Sequence, residues 1–186
     1  MSPRRRQLLA QIGVPHTVVA AHVDESLLSG ESPREYVGRL ARHKATAVRE
    51  HGESLPVLAA DTAVVLDGSV YGKPAGRAEA LAMLGALAGR THEVLTAVAL
   101  AGARGVELRV NSSSVRFRDI ARAEIEAYWE TGEPRDKAGG YAIQGYGAVF
   151  VAELGGSYSG VMGLPLLETA ELLRAAGIRY WIGAAR

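Results

Sequence analysis

The chain has 186 residues, of which 48% are hydrophobic and 22% charged, a composition typical of a folded globular protein rather than a disordered or fibrous one. Its 21 basic and 20 acidic residues give a net charge of +1, which supplies no long-range field for binding a nucleic-acid backbone. The absence of cysteine excludes disulfides, thiolate metal sites and a cysteine nucleophile. No apolar run approaches the ~20 residues of a membrane span, so we expect a cytoplasmic protein.

Local signals in the first half of the chain predict helices alternating with strands. Ser2 and Pro3 suit the N-cap and first position of a helix, because apolar residues then recur at helical spacing. Residues 16–21 form a short apolar stretch typical of a strand. The Ser-Pro-Arg-Glu segment at 32–35 has the pattern of a capping box. It predicts a helix whose apolar stripe contains Val37, Leu40, Ala41, Lys44 and Val48.

The rest of the chain continues the same mixture. The apolar run 55–66 predicts a buried strand that turns at Asp67-Gly68 into a hairpin. Further helices are expected at 76–87, 119–131 and 164–176. Further strands are expected at 94–100 and 106–110, extended by an alternation at 115–118, and at 148–153 and 178–182. A Gly-rich segment occupies residues 138–147. This order favours an α/β fold with a mixed sheet.

Lysine is the most informative residue type. Among the 21 basic residues only three are Lys, namely Lys44, Lys73 and Lys137. A chain that otherwise uses Arg retains Lys where a compact ammonium matters or where a charge is simply solvated. Lys44 lies on the apolar stripe of its helix, and burying an unpaired ammonium is costly, so we predict an anion beside it.

Arg5 also lies on an apolar helix face, close to a helix N-terminus whose dipole it opposes. The position suits a bound phosphate, although a basic chain terminus fraying in water explains it equally well. Asp61 interrupts a buried strand, which favours metal coordination or base catalysis. Glu25 offers a second acid or is an ordinary loop residue. Gln144, in the Gly-rich segment, suits base recognition or loop stabilisation.

Common catalytic motifs are absent: no phosphate-binding P-loop, dinucleotide fingerprint, zinc-protease motif or hydrolase nucleophile elbow occurs. His92, at the start of a strand, is better explained as a hydrogen-bonded histidine than as a metal ligand. Scattered cations with one or two carboxylates and no covalent nucleophile favour metal-assisted hydrolysis of a polyphosphate.

Eight segments, in order, resemble the Maf-like nucleoside triphosphate pyrophosphatases. They lie at residues 2–5, 24–25, 39–45, 60–62, 72–74, 89–92, 136–145 and 163–166 and so extend over essentially the whole chain. The resemblance implies one domain, 1–186, with a central twisted mixed sheet flanked by helices, two lobes around a cleft and a relation to the inosine triphosphate pyrophosphatase fold. It implies hydrolysis of a nucleoside triphosphate to the monophosphate and pyrophosphate with a divalent cation, Mg²⁺ or Mn²⁺.

The same resemblance implies residue roles. Asp61 matches a catalytic base or metal-associated acid, and Glu25 a second acid. Triphosphate-binding cations are matched by Arg5, Lys44 and Lys73. Positions that tune base preference are matched by Arg4, Thr62 and Gln144. The Asp-Thr pair at 61–62 and the Gln at 144 resemble the dTTP/UTP subgroup, so modified pyrimidine triphosphates and a house-cleaning role are also expected.

One departure from the family pattern lies at the N-terminus. Family members usually begin with an apolar strand and a loop of the type Leu-Ala-Ser-x-Ser-Pro-Arg-Arg, so we expect the first strand of the domain to be missing here. A homodimer is plausible by family. A nucleotide-binding regulator of cell division without turnover is the alternative function, and release of pyrophosphate distinguishes the two. No membrane or nucleic-acid partner is expected, since the net charge is near zero and aromatic residues are few.

Overall fold

The computed structural model describes residues 2–52 and 54–181. Six α-helices occur in this part of the chain: α1 (Pro3–Gln11), α2 (Pro33–Glu50), α3 (Arg77–Leu87), α4 (Arg122–Glu130), α5 (Tyr158–Met162) and α6 (Leu166–Ala175). Five strands accompany them: β1 (Val57–Leu66), β2 (Ser69–Tyr71), β3 (Thr91–Gly102), β4 (Gly105–Phe117) and β5 (Val151–Gly155). None of these helices combines the length and the apolar character needed to cross a membrane.

The strands form one sheet in the order β2-β1-β3-β4-β5. The α/β class is confirmed. All four pairings between the described strands are antiparallel, where a mixed sheet was predicted. The β1–β2 and β3–β4 connections are tight turns, which join antiparallel strands. In the first of them Asp67 and Gly68 both have positive φ, as the hairpin prediction required.

Alternation along β1 directs its side chains to two different cores. Val64 and Leu66 pack with α3 and α4 on one face of the sheet. Ala63 and Val65 pack with α2 on the other face. Because residues two apart in a strand share a face, Asp61 lies on the α2 side. A third core joins α1 and α6 to the end of the sheet through Leu8 and Leu172.

Helix α2 begins as its sequence predicts. The Ser32 hydroxyl accepts a hydrogen bond from the Glu35 backbone N–H, and the Glu35 carboxylate accepts one from the Ser32 backbone N–H. The predicted stripe is buried at Val37, Leu40, Ala41 and Val48. Helix α1 also begins at Pro3, but the Ser2 side chain makes no capping hydrogen bond.

Two predicted strands are wrong where the structure describes them. Residues 16–21 and 178–181 have no regular secondary structure, and Ile182 lies outside the described residues. A strand requires a neighbouring strand for its backbone groups, and within the described part of the chain neither segment joins the ladder. Strand β5 begins at Val151 rather than Ala148 because residues 146–150 form a 3₁₀ turn. The short helix α5 was not predicted.

Candidate active site

A cleft of about 1270 Å³ runs along β1, between α1, the loop that precedes α2, and the Gly-rich segment. All the site residues predicted from the sequence line this cleft: Arg4, Arg5, Glu25, Lys44, Asp61, Thr62, Lys73 and Gln144. They come from segments far apart in the chain. The fold therefore brings together side chains whose proximity no local pattern could establish.

Lys44 is the centre of an ion-pair cluster in the cleft. Its Nζ lies 2.7 Å from Asp61 Oδ1 and 2.6 Å from Glu25 Oε1. The cluster forms because Asp61 lies on the face of β1 that α2 covers, and Lys44 lies on the buried stripe of α2. Asp61 is 8% exposed, so its carboxylate depends on this ammonium for much of its compensation. The predicted anion beside Lys44 is thus confirmed, and there are two of them.

Glu25 reaches the same ammonium from the irregular loop before α2. Its side chain is half exposed, unlike that of Asp61. Partial burial opposes its ionisation, but the hydrogen bond and charge of Lys44, with the charges of Lys73 and Arg5, hold the pKa of Glu25 below its ordinary value. Glu25 is therefore an ionised acid placed at the solvent side of the cluster.

Arg5 is fixed by two oxygen atoms that carry no charge. Its Nε donates to the Gly163 carbonyl at 2.7 Å, and its Nη2 donates to Thr62 Oγ1 at 3.1 Å. Thr62 in turn shares a hydrogen bond with Thr96 Oγ1 at 3.0 Å, across the β1–β3 pair. Burial lowers the pKa of Arg5 from its usual value, partly offset by the charge of Asp61. The guanidinium keeps further N–H groups, since it has five in all, for a ligand in the cleft.

Two more of the predicted cations and an amide also line the cleft. Lys73 follows β2 and is exposed at the cleft. Arg4 lies one residue before Arg5 on α1 and is half-buried. Gln144 is exposed on the Gly-rich segment, on the cleft lining, while the neighbouring Ile143 is buried. The cleft thus combines a cluster of cations with an amide donor and acceptor that is free to meet a ligand.

Comparison with known proteins assigns the family. The model of the Maf-like protein family matches residues 1–176. The chain belongs to the Maf-like family. Among curated Maf-like relatives, a dTTP/UTP pyrophosphatase of Methylococcus capsulatus is 54% identical over 188 residues, covering 99% of this chain and 93% of that protein. A dTTP/UTP pyrophosphatase of Alkalilimnicola ehrlichii is 55% identical over 185 residues, covering 96% and 91%. A third, of Saccharophagus degradans, is 52% identical over 184 residues, covering 97% and 88%.

The Maf-like site has the chemistry of a divalent-cation site only in part. Within residues 2–52 and 54–181, no group of three or more His, Asp or Glu side chains is arranged to hold a metal ion. Asp61 and Glu25 each give one carboxylate oxygen to Lys44, which leaves their other oxygens for a ligand. Mg²⁺ commonly binds through one or two carboxylates together with substrate phosphates. The residues present therefore fit a cation that arrives with a polyphosphate, rather than one held by protein alone.

Sequence patterns missed several groups that shape this Maf-like site. The Gly163 carbonyl orients Arg5, but a backbone oxygen has no residue-type signal. Thr96 is fully buried, and its hydroxyl donates to the Gly160 carbonyl at 2.8 Å. Lys137, noted in the sequence without a role, donates to Asp136 at 2.6 Å, and both line the cleft. The alternation of β1 and β3, with polar Thr among apolar residues, is the one signal that could have indicated Thr96.

Proposed function

We propose that this protein hydrolyses dTTP and UTP to the nucleoside monophosphate and pyrophosphate. The proposal rests on one observation: the Asp61–Lys44–Glu25 cluster lies in the same cleft as the cations Arg5 and Lys73. The dTTP/UTP pyrophosphatase names of relatives at about half identity support the choice of nucleotide. Modified pyrimidine triphosphates are accepted in the same pocket, which gives the enzyme a house-cleaning role.

The triphosphate is bound by the cations of the cleft. Arg5 presents its remaining N–H groups to phosphate oxygens, and its planar fork suits such oxygens. Lys73 is exposed on the cleft lining, where its ammonium can meet the leaving pyrophosphate. Because Lys44 already faces two carboxylates, its main function is to hold them in place and balance their charge. Charge that develops on the pyrophosphate is thus met by groups that are already positioned.

Hydrolysis requires a water molecule in line with the bond between the α-phosphorus and the bridging oxygen. The Asp61 oxygen that does not face Lys44 orients this water and accepts its proton. The water oxygen forms a bond to the α-phosphorus, the α–β bridging P–O bond breaks, and its electron pair leaves with pyrophosphate. Glu25 is held in its ionised form and supplies a second carboxylate beside Asp61 in the Lys44 cluster.

A divalent cation, Mg²⁺ or Mn²⁺, would be held by Glu25 and phosphate oxygens, with Asp61 contributing the second lone pair of the oxygen that pairs with Lys44, so that its other oxygen serves the water. When bound, such an ion withdraws negative charge from the phosphates and so supplies Lewis-acid chemistry.

Base selection is assigned to Gln144, with Thr62 and Arg4 on the lining of the same cleft. A pyrimidine edge offers an N3–H donor beside carbonyl acceptors, and one amide side chain provides the matching acceptor and donor. Gln144 has an exposed side chain on the cleft lining, which this role requires.

The test measures the release of pyrophosphate from dTTP, in the presence of Mg²⁺, by the wild type and by the Asp61→Asn variant. General base catalysis contributes about 10²- to 10⁴-fold, so a loss of that order is expected with an unchanged circular dichroism spectrum. Asp67→Asn is the matched control: it makes the same chemical change at the β1–β2 turn, outside the cleft, where Asn tolerates positive φ. Near-normal hydrolysis of dTTP by Asp61→Asn would refute the proposal. Binding of dTTP without pyrophosphate release by the wild type would favour the non-catalytic regulator.

A further inference from the structure

Gln144 lies in a turn whose ends are held by side chains from outside the cleft. The Gly145 N–H donates to the Ala142 carbonyl at 3.2 Å, which places Ile143 and Gln144 in the middle of a four-residue turn. Ile143 packs into the core formed with α3 and α4, and Gln144 is exposed. The orientation of Gln144 therefore depends on how the two ends of residues 142–147 are fixed.

Two side chains outside the cleft fix both ends. At the start, the Ala142 N–H donates to the Tyr128 hydroxyl at 3.1 Å, and that hydroxyl donates to Glu133 Oε1 at 2.6 Å. At the end, Glu133 accepts from the Tyr146 N–H and the Gly147 N–H, both at 3.0 Å. One carboxylate thus receives three hydrogen bonds, and a chain of two bonds joins it to the start of the turn.

This arrangement requires an acceptor that carries no hydrogen. Burial opposes ionisation of Glu133, but the hydrogen bonds from Tyr128, Gly147 and Tyr146 and the charge of Lys137 hold its pKa below the ordinary value. Gly145 packs so closely against the Glu133 carboxylate that a Cβ atom at 145 would overlap it. The turn therefore packs directly against the carboxylate that supports it.

We propose that Glu133, acting through Tyr128 and the backbone of residues 142–147, is a positioning residue that sets the orientation of Gln144 toward the base. The proposal rests on the proposed function, in which Gln144 reads the base. Glu133 is not among the residues that line the cleft, so in this proposal it acts through the turn and not by contact with the substrate. Its effect is on the choice between nucleotides, not on the hydrolytic step.

The decisive variant is Glu133→Gln. It keeps the size of the side chain, but it replaces one acceptor oxygen by an amide NH₂ group. This group cannot accept a hydrogen bond, so it faces a backbone N–H as donor against donor. Glu130→Gln is the matched control, because it makes the same change three residues earlier, where an exposed side chain pairs with Arg77 at 3.7 Å. The control should behave as the wild type.

The experiment measures dissociation constants for α,β-methylene analogues of dTTP and GTP, which report base preference without turnover. Glu133→Gln should reduce the preference for the dTTP analogue about tenfold, the scale of one hydrogen bond. In a Gln144→Ala background the same substitution should change the preference no further. Hydrogen exchange at the Tyr146 and Gly147 amides should accelerate in Glu133→Gln.

Other results distinguish failure of the positioning role from failure of the proposed function. If Glu133→Gln weakens both analogues equally, reduces the preference just as much without Gln144, or leaves the two amides protected, the positioning role is wrong. If Gln144→Ala leaves the preference intact, base reading by Gln144 is wrong and the positioning role falls with it. Failure of the wild type to release pyrophosphate would overturn the proposed hydrolysis alone, because the binding measurements do not depend on it.

Discussion

His92 is a buried side chain whose protonation the folded state opposes. It is 3% exposed and packs edge-on against Phe117 and Tyr141, with ring centroids 4.8 and 5.4 Å away. Its Nε2 shares a 2.8 Å hydrogen bond with the Tyr141 hydroxyl, whereas its Nδ1 is buried without a hydrogen-bond partner among the described residues. Burial lowers the pKa of His92 from 6.5 to about 4. We predict that this one residue makes the protein less stable in mild acid.

The magnitude follows from proton linkage. Between the folded pKa of about 4 and the unfolded value of 6.5, the unfolded chain binds the proton at His92 and the folded chain does not. The free energy of unfolding due to His92 is therefore highest above the unfolded pKa and is lost as the pH falls towards the folded pKa. Since one pKa unit corresponds to about 1.4 kcal/mol, lowering the pH from about 7 to about 5 should cost about 2 kcal/mol.

The assay is urea unfolding of the wild type, His92→Gln and His43→Gln between these two pH values. His92→Gln retains a hydrogen-bonding group for Tyr141 but cannot titrate, so its unfolding free energy should fall by about 2 kcal/mol less than that of the wild type. His43 is exposed on α2, and its variant should follow the wild type. Parallel profiles for the wild type and His92→Gln would refute the linkage, whatever their absolute stabilities.

Three further outcomes are expected, two at the cleft and one in the Gly-rich segment. Gln144→Glu should lower the preference for dTTP over GTP, because a carboxylate lacks the amide donor; an unchanged ranking of dTTP, UTP and GTP in pyrophosphate release would refute base reading. Arg5→Lys should raise KM for dTTP about tenfold or more, because a single Nζ cannot occupy the separate positions of the Nε that reaches Gly163 and the Nη2 that reaches Thr62; an unchanged KM would contradict this. Gly139→Ala should lower the unfolding free energy by about 1–3 kcal/mol, because φ there is +68° and a Cβ would lie 2.9 Å from Val64; thermal unfolding of the variant, with Val64→Ala as partial rescue, checks it.

Elements with a local signal were predictable from the sequence. The capping box at 32–35 and the Asp67-Gly68 turn depend on contacts within a few residues, and both occur as predicted. The segments at 16–21 and 178–181 have the composition of strands but no ladder in the described chain, since strand formation depends on a partner far away in sequence. Helix α5 has five residues, too few to show a helical period.

The site was predictable to the extent that burial conflicts with charge. Lys44 on an apolar stripe and Asp61 in a buried strand each violated the pattern of their own element, and the structure resolves both conflicts by pairing them. Glu133 shows the limit of that reasoning. It lies in a polar segment where an acid conflicts with nothing, and two of its three hydrogen-bond donors are backbone N–H groups that any sequence would supply.

Arg5 and Lys44 are held by different kinds of group, and this difference affects how a polyanionic substrate binds. Both cations are immobilised before any substrate arrives, so the side-chain entropy of about 2 kcal/mol for each is lost during folding and not during association. Lys44 is held by two carboxylates in direct contact, which compensate its charge, whereas Arg5 is held by a carbonyl and a hydroxyl, which carry no net charge. A polyanion entering the cleft therefore meets one rigid cation without a directly paired anion, and its affinity should depend on salt chiefly through Arg5 and the exposed Lys73.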